Sequence, residues 1–73
     1  MESESCIRLE CRSQLELDLL MELMNQYNLH PLGMHRLKSD GIEIILRVSD
    51  RINKPAFFGK LVLYEIYYTP YAN

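Results

Sequence analysis

The sequence predicts a small α+β domain, a β-α-β-β-β chain with one helix packed on one face of an antiparallel or mixed four-stranded sheet. Two stretches of alternating apolar residues and one stretch with helical spacing support this prediction. A length of 73 residues allows a single domain with a marginal core. We place the domain at 6–70, with a disordered tail at 1–5 and a short C-terminal tail at 71–73.

The first strand and the helix are separated by a change of period at Ser13. Apolar and polar residues alternate from Cys6 to Arg12, which is typical of a half-buried strand. Ser13 and Glu16 then match a capping box, in which each side chain satisfies a free backbone N–H group. An apolar stripe with helical spacing follows, and Pro31 prevents the helix from continuing.

Two further strands are predicted on either side of a turn at 39–41. The second strand runs from Leu32 to Leu37, although Gly33 weakens it. An Asp-Gly pair at 40–41 suits the positive φ angles of a tight hairpin. The alternation from Ile42 to Val48 is strong and predicts the third strand.

The stretch from Lys60 to Thr69 is predicted to be a fourth strand that is apolar on both faces. Glu65 marks the outward register of this strand. A single helix covers one face of a sheet, so the second apolar face indicates cover by another chain. The inward set is Val62, Tyr64, Ile66 and Tyr68, and the outward set is Leu61, Leu63, Glu65 and Tyr67.

This order of elements resembles half of a ferredoxin-like arrangement whose second helix is reduced or absent. The polar loop at 49–59 stands where that helix would be, with room for one helical turn. In this interpretation strands one and three lie parallel in the centre of the sheet, joined through a right-handed crossover. The sequence leaves open whether strand four is central or at an edge.

Parity assigns one face of the sheet to a partner. Seven residues face the helix: Ile7, Leu9, Cys11, Ile42, Ile44, Leu46 and Val48. On the outward face an apolar centre with a charged rim is expected, which is typical of a protein interface. Alternatively, strand four pairs edge to edge with a symmetry mate. The predicted partner-binding residues are Arg8, Arg12, Ile45, Arg47, Leu61, Leu63 and Tyr67.

The leading functional hypothesis is a small non-enzymatic interaction or regulatory module. It acts as a homodimer, or it docks as an adaptor or inhibitor on a larger protein through the outer sheet face or an edge strand. A phage or mobile-element inhibitor of a host protein fits the same description. The three glycines are scattered, so no phosphate-binding loop is present, and neither a catalytic activity nor a cofactor is predicted.

A sheet-based nucleic-acid-binding protein is the alternative. Tyrosines near the C-terminus could stack on bases while Arg8, Arg12 and Arg47 contact phosphates. The net charge of −2 and three glutamates assigned to the same face make this interpretation weaker. Those glutamates are Glu10, Glu43 and Glu65.

A small zinc-binding domain is the second alternative, with Cys6, Cys11, His30 and His35 as a loose Cys2His2 set. Strand geometry disfavours it. Side chains five residues apart on a strand leave opposite faces, and their Cα atoms are about 16 Å apart. That separation also excludes a disulfide between the two cysteines. We therefore expect reduced thiols and no bound metal.

The chain is predicted to be cytoplasmic and without a membrane partner. The N-terminus is acidic, and no apolar signal-peptide core follows it. No apolar run approaches the length of about 20 residues that a membrane-spanning helix needs.

Overall fold

The protein is described by a computed structural model that covers residues 4–49 and 51–71. Four strands form one open antiparallel sheet in the order β2-β3-β1-β4, and two helices pack on the same face of it. The α+β class and the four-stranded sheet are therefore as predicted. The elements are β1 (Glu4–Cys11), α1 (Gln14–Gln26), β2 (Pro31–Arg36), β3 (Ile42–Ser49), α2 (Lys54–Leu63) and β4 (Tyr67–Pro70).

The central strands β1 and β3 are antiparallel, so the prediction that they lie parallel is wrong. Ile7 is paired with Leu46 and Cys11 with Ile42 along the whole length of the two strands. The tight turn between β2 and β3 reverses the chain, so these two strands are antiparallel. β1 and β2 run in the same direction and flank β3 on its two sides.

The prediction that the second helix is reduced or absent is wrong. A full helix, α2, replaces the second half of the predicted loop and the first four residues of the predicted fourth strand. Asn53 caps it, because its side-chain oxygen accepts a hydrogen bond from the Ala56 N–H at 3.2 Å. Pro55 lies in the first turn, where proline is tolerated. Phe57 and Leu61, four residues apart on one helix face, are both fully buried.

The predicted strand from Lys60 to Thr69 is therefore shortened to the four residues of β4. The chain leaves α2 through Glu65, which has a positive φ of 59°. Ile66 is buried, and β4 then lies at the edge of the sheet beside β1. The prediction that Leu61 lies on the outer sheet face is wrong, and Val62, predicted inward, is exposed.

The N-terminal cap of α1 is formed largely as predicted. The Ser13 hydroxyl accepts a hydrogen bond from the Glu16 N–H at 3.2 Å. The Glu16 carboxylate, however, accepts from the Arg12 N–H at 3.1 Å rather than from Ser13. Asn28 follows the helix with a φ of 56°, and Asp40 has a φ of 66° in the β2–β3 turn. Both positions suit residues that tolerate the left-handed conformation.

The core lies between the sheet and the two helices, and the predicted inner face is confirmed. All seven residues assigned to it are in the core cluster or packed against it. The rings of Tyr27, the C-cap of α1, and Phe57 on α2 meet edge to face with centroids 5.5 Å apart. From the helices, the core receives Leu20, Leu23, Met24, Phe57 and Leu61.

The predicted terminal tails, 1–5 and 71–73, lie mostly outside the described residues. Within the described part, Glu4 and Ser5 belong to β1, and the Tyr71 N–H donates to the Cys6 carbonyl oxygen at 2.9 Å. No helix between residues 4 and 71, with residue 50 left aside, is long and apolar enough to cross a membrane.

Candidate functional site

The predicted partner-binding residues are divided between three parts of the fold. Four of them, Arg8, Ile45, Arg47 and Tyr67, lie on the outer sheet face, as parity predicted. Arg12 follows β1, and its guanidinium lies 3.7 Å from the Glu16 carboxylate. The remaining two, Leu61 and Leu63, belong to α2 on the other side of the sheet.

The outer face is mainly polar and carries both signs of charge. Arg8 forms an ion pair with Glu43 at 3.2 Å. Glu10 lies opposite Glu43 on one side and Tyr67 on the other. Ile45, at the centre, is only 8% exposed. This face therefore offers neither the expected apolar patch nor a continuous basic surface for phosphates.

The cysteine and histidine side chains are not brought together. Cys6 is half-buried on the outer face, whereas Cys11 is buried on the inner face, and both are free thiols. His30 is exposed before β2, and His35 lies on β2 opposite Glu43. Within residues 4–49 and 51–71, no group of three or more histidine, cysteine, aspartate or glutamate side chains could hold a metal ion.

Burial of Cys11 predicts a fall in stability at high pH. The pKa of the Cys11 thiol is raised from 9.0 to about 11. Burial is the larger cause, and the nearby Glu16 carboxylate is the smaller one. Between these values the unfolded state holds fewer protons than the folded state, so the free energy of unfolding decreases as pH rises. The decrease due to Cys11 should approach about 2–3 kcal/mol by pH 11.

Urea denaturation from pH 8 to pH 11 measures this decrease, with Cys11→Ala as the comparison. The variant is expected to be less stable at pH 8 and to lose less stability than the wild type as pH rises. Parallel pH profiles for the two proteins would contradict the burial of this thiol.

The most exposed apolar side chains of the described residues lie on the helices. Leu63 is 70% exposed, Leu15 is 68% exposed and Val62 is 66% exposed. We name these three residues the helix-end patch. An isolated exposed leucine is ordinary, but several together indicate an interaction surface.

The patch forms because α1 and α2 pack side by side in opposite directions. At one end of the pair the Arg12 guanidinium lies 3.5 Å from the Glu65 carbonyl oxygen, so the start of α1 is beside the end of α2. At the other end Tyr27 contacts Phe57. Leu15 is two residues after Ser13, the N-cap of α1, and Leu63 is two residues before Glu65. Both leucines therefore belong to the end of the helix pair where Arg12 contacts Glu65.

The two helices differ in charge. The acidic residues of α1 are Glu16, Asp18 and Glu22, and α1 contains no lysine or arginine. The charged residues of α2 are Lys54 and Lys60. Asp18, Glu22 and Lys60 are exposed. The helical layer therefore presents exposed carboxylates on α1 and an exposed lysine on α2, with the helix-end patch at one end.

A second exposed surface lies at the β2 edge of the sheet. Every residue of β2 except Gly33 is exposed, and Leu32 is an extra residue that bulges out of the pairing with β3. Exposed apolar side chains occur here too, with Leu32 at 54%, Met34 at 47% and Met21 of α1 at 46%. We name these three residues the β2-edge surface.

Fold and surface together define a small α+β domain with an open four-stranded antiparallel sheet and two exposed apolar surfaces. Comparisons with protein-family models, with curated proteins and with solved structures give no match to this chain.

Sequence reasoning found Leu63 but placed it on the wrong element, and it missed Leu15 and Val62. The signal was present in the sequence. Asn53 followed by Pro55 is a helix-start pattern, and Phe57 and Leu61 have helical spacing. A helix with that buried face places Val62 and Leu63 on its exposed side.

Proposed function

We propose that the protein is a small non-enzymatic interaction module that acts as a homodimer, with two copies meeting through their helical layers. The observation that supports this most strongly is the helix-end patch. Its three side chains are the most exposed large apolar ones among the described residues, and they belong to the same end of two antiparallel helices.

A twofold axis parallel to the helices and between two facing layers satisfies both the apolar and the charged features. Rotation about this axis places α1 of one copy over α2 of the other. Leu15 of one copy then meets Leu63 of the second copy, and the symmetry repeats that contact. The facing helices run in opposite directions, so their macrodipoles attract.

The same superposition matches acidic with basic residues. Three residues separate Leu15 from Asp18 on α1, and three separate Leu63 from Lys60 on α2. Each step corresponds to about 4.5 Å along a helix axis. When Leu15 lies against Leu63, Asp18 is therefore level with Lys60 of the second copy. A second copy of the chain therefore carries charges that are complementary to those of the first.

The expected dimer is of moderate affinity. Each large apolar side chain that becomes fully buried contributes about 1.5–3 kcal/mol, and the twofold axis brings both helix-end patches together. Much of this gain is offset by the loss of translational and rotational freedom on association. We therefore expect a dissociation constant on the order of micromolar.

The absence of enzymatic activity is part of the same proposal. Cys11 is the most deeply buried candidate nucleophile of the described residues, and its raised pKa keeps the thiol protonated. On the outer face, the Arg8 guanidinium and the Glu43 carboxylate are engaged with each other in an ion pair. A regulatory or adaptor role through binding is the function that these features support.

We also infer that the fold is of the ferredoxin-like kind. The β-α-β-β-α-β order supports this assignment, as does the position of β3 between β1 and β2. By analogy, folds of this kind host many small interaction modules.

Charge reversal across the two copies tests the proposed dimer. Asp18→Lys or Lys60→Glu alone should weaken self-association by about tenfold, because each dimer then contains two repelling pairs. The variant with both reversals restores opposite charges across the axis and should recover most of the affinity. Sedimentation equilibrium at low ionic strength measures the dissociation constants.

Lys38→Glu in the β2–β3 turn is the matched control, because it reverses a charge away from the helical layer. It should leave the dissociation constant near that of the wild type. Additive weakening in the double reversal, with no recovery, would contradict the proposed alignment of α1 with α2.

A further inference from the structure

We propose that the β2-edge surface binds an extended, acidic segment of another protein, which adds to the sheet as a fifth strand. This inference does not depend on the homodimer, because the β2-edge surface and the helix-end patch share no residue, although α1 contributes Met21 to the first and Leu15 to the second. It assigns an occupant to the one long edge of the sheet.

The two edges of the sheet differ in their capacity to accept a strand. An edge strand has one side of its backbone N–H and C=O groups unpaired within the sheet. β4 has only four residues and ends in Pro70, which has no N–H to donate. β2 has six residues, and its only proline, Pro31, is at the first position. Strand addition therefore favours β2.

The groove beside β2 provides space for an apolar side chain of the added strand. A cavity of about 160 Å³ lies between α1 and the start of β2. Met21, Met24, Leu29 and Pro31 contribute apolar groups to its lining. Alternate side chains of an extended peptide point to one face, so a peptide residue beside Pro31 can place its side chain in this cavity. Methionine side chains adapt to different apolar partners.

The charges along this edge specify an acidic occupant. Residues 30–38 contain Arg36, Lys38 and two histidines and no acidic residue. Asp40, in the turn beyond them, lines a cavity together with Arg36, so the positive charge of the edge is net rather than exclusive. The α1 residues that line the cavities on this side, among them Gln14, Met21 and Asn25, are uncharged. An acidic peptide is thus attracted along β2, whereas a basic one is repelled.

A synthetic peptide of alternating glutamate and leucine, about six residues long to match a strand, is the probe. The full chain is titrated with the fluorescent peptide, and binding is followed by anisotropy. Backbone amide hydrogen exchange, measured by NMR, locates the bound peptide. The expected result is saturable binding that slows exchange of amides in Gly33–Arg36 and leaves β4 unchanged.

Two control peptides separate the parts of the inference. A peptide with lysine in place of glutamate should bind at least about tenfold more weakly, and so should one with alternate backbone N-methyl groups. Met34→Ala, which removes apolar area from the edge, should also weaken binding. Leu63→Glu should not, and this result separates the peptide site from the proposed dimer.

Failure to bind below about 1 mM would overturn the inference, since the affinity would then be negligible. Equal binding of the lysine peptide would overturn the acidic preference and with it the proposed occupant. Protection of β4 amides instead of β2 amides would overturn the choice of edge.

Discussion

Leu61→Ala should lower the free energy of unfolding by about 2–5 kcal/mol, whereas Leu63→Ala should change it by less than about 0.5 kcal/mol. Leu61 is fully buried between α2 and the sheet, and Leu63, two residues later, is 70% exposed. Urea denaturation measures both, at a protein concentration below the expected dimer dissociation constant. The contrast is large enough to decide how residues 60–63 fold.

The alternative structure for this stretch makes the opposite prediction. In a strand from Lys60 to Thr69, Leu61 and Leu63 share one face, and the two alanine variants would have similar effects. Val62→Ala is a useful control, because that side chain is 66% exposed on α2. Similar losses for Leu61→Ala and Leu63→Ala would contradict the helix.

Leu63→Glu should raise the dissociation constant of the homodimer by at least about a hundredfold. The change replaces apolar contacts at two symmetry-related places and requires two carboxylates to lose water on association. The folded monomer should be unaffected, because Leu63 faces solvent in one copy. Sedimentation velocity measures the dissociation, and far-ultraviolet circular dichroism measures the retained helix content.

Met34→Glu is the matched control for that variant. Met34 is 47% exposed on the β2 edge, so the substitution introduces the same charge on another apolar surface. It should leave the dimer intact. If Met34→Glu separates the copies and Leu63→Glu does not, self-association uses the β2 edge instead of the helical layer.

The elements with a single clear periodicity could be predicted from the sequence. The alternation around Ile7 and Leu9 is strict, and the alternation around Ile44 and Leu46 is broken only by Ile45. The first four of these residues are buried on the inner face. Ser13 caps α1 as the local sequence indicates. In each case the local pattern and the packing agree.

The stretch after residue 53 could not be assigned by alternation alone, because it is apolar in both the strand and the helix period. Leu, Val and Tyr residues follow one another there, and a short apolar run fits a buried helix as well as a strand. The decisive local signals are the Asn53 cap and the proline in the first turn. Those signals are specific to helices, whereas a high β-propensity is not specific to strands.

The candidate site was predicted less well than the fold, for a physical reason. Parity gave the correct face for Ile45, but not its burial, which depends on neighbouring strands. Ile45 lies opposite Arg8 and Gly33, a pairing set by sheet order and register. The helix-end patch depends on how α1 and α2 pack, and that contact is not encoded in either helix alone.

The proposed dimer is tested most directly by isotope-filtered NMR on a mixture of ¹³C-labelled and unlabelled chains. Only contacts between copies produce cross-peaks from labelled to unlabelled protons in such a sample. The account predicts intermolecular contacts between the methyl groups of Leu15 and Leu63, at concentrations where the protein sediments with twice the monomer mass. Sedimentation as a monomer at high concentration, or intermolecular contacts confined to Leu32 and Met34, would contradict it.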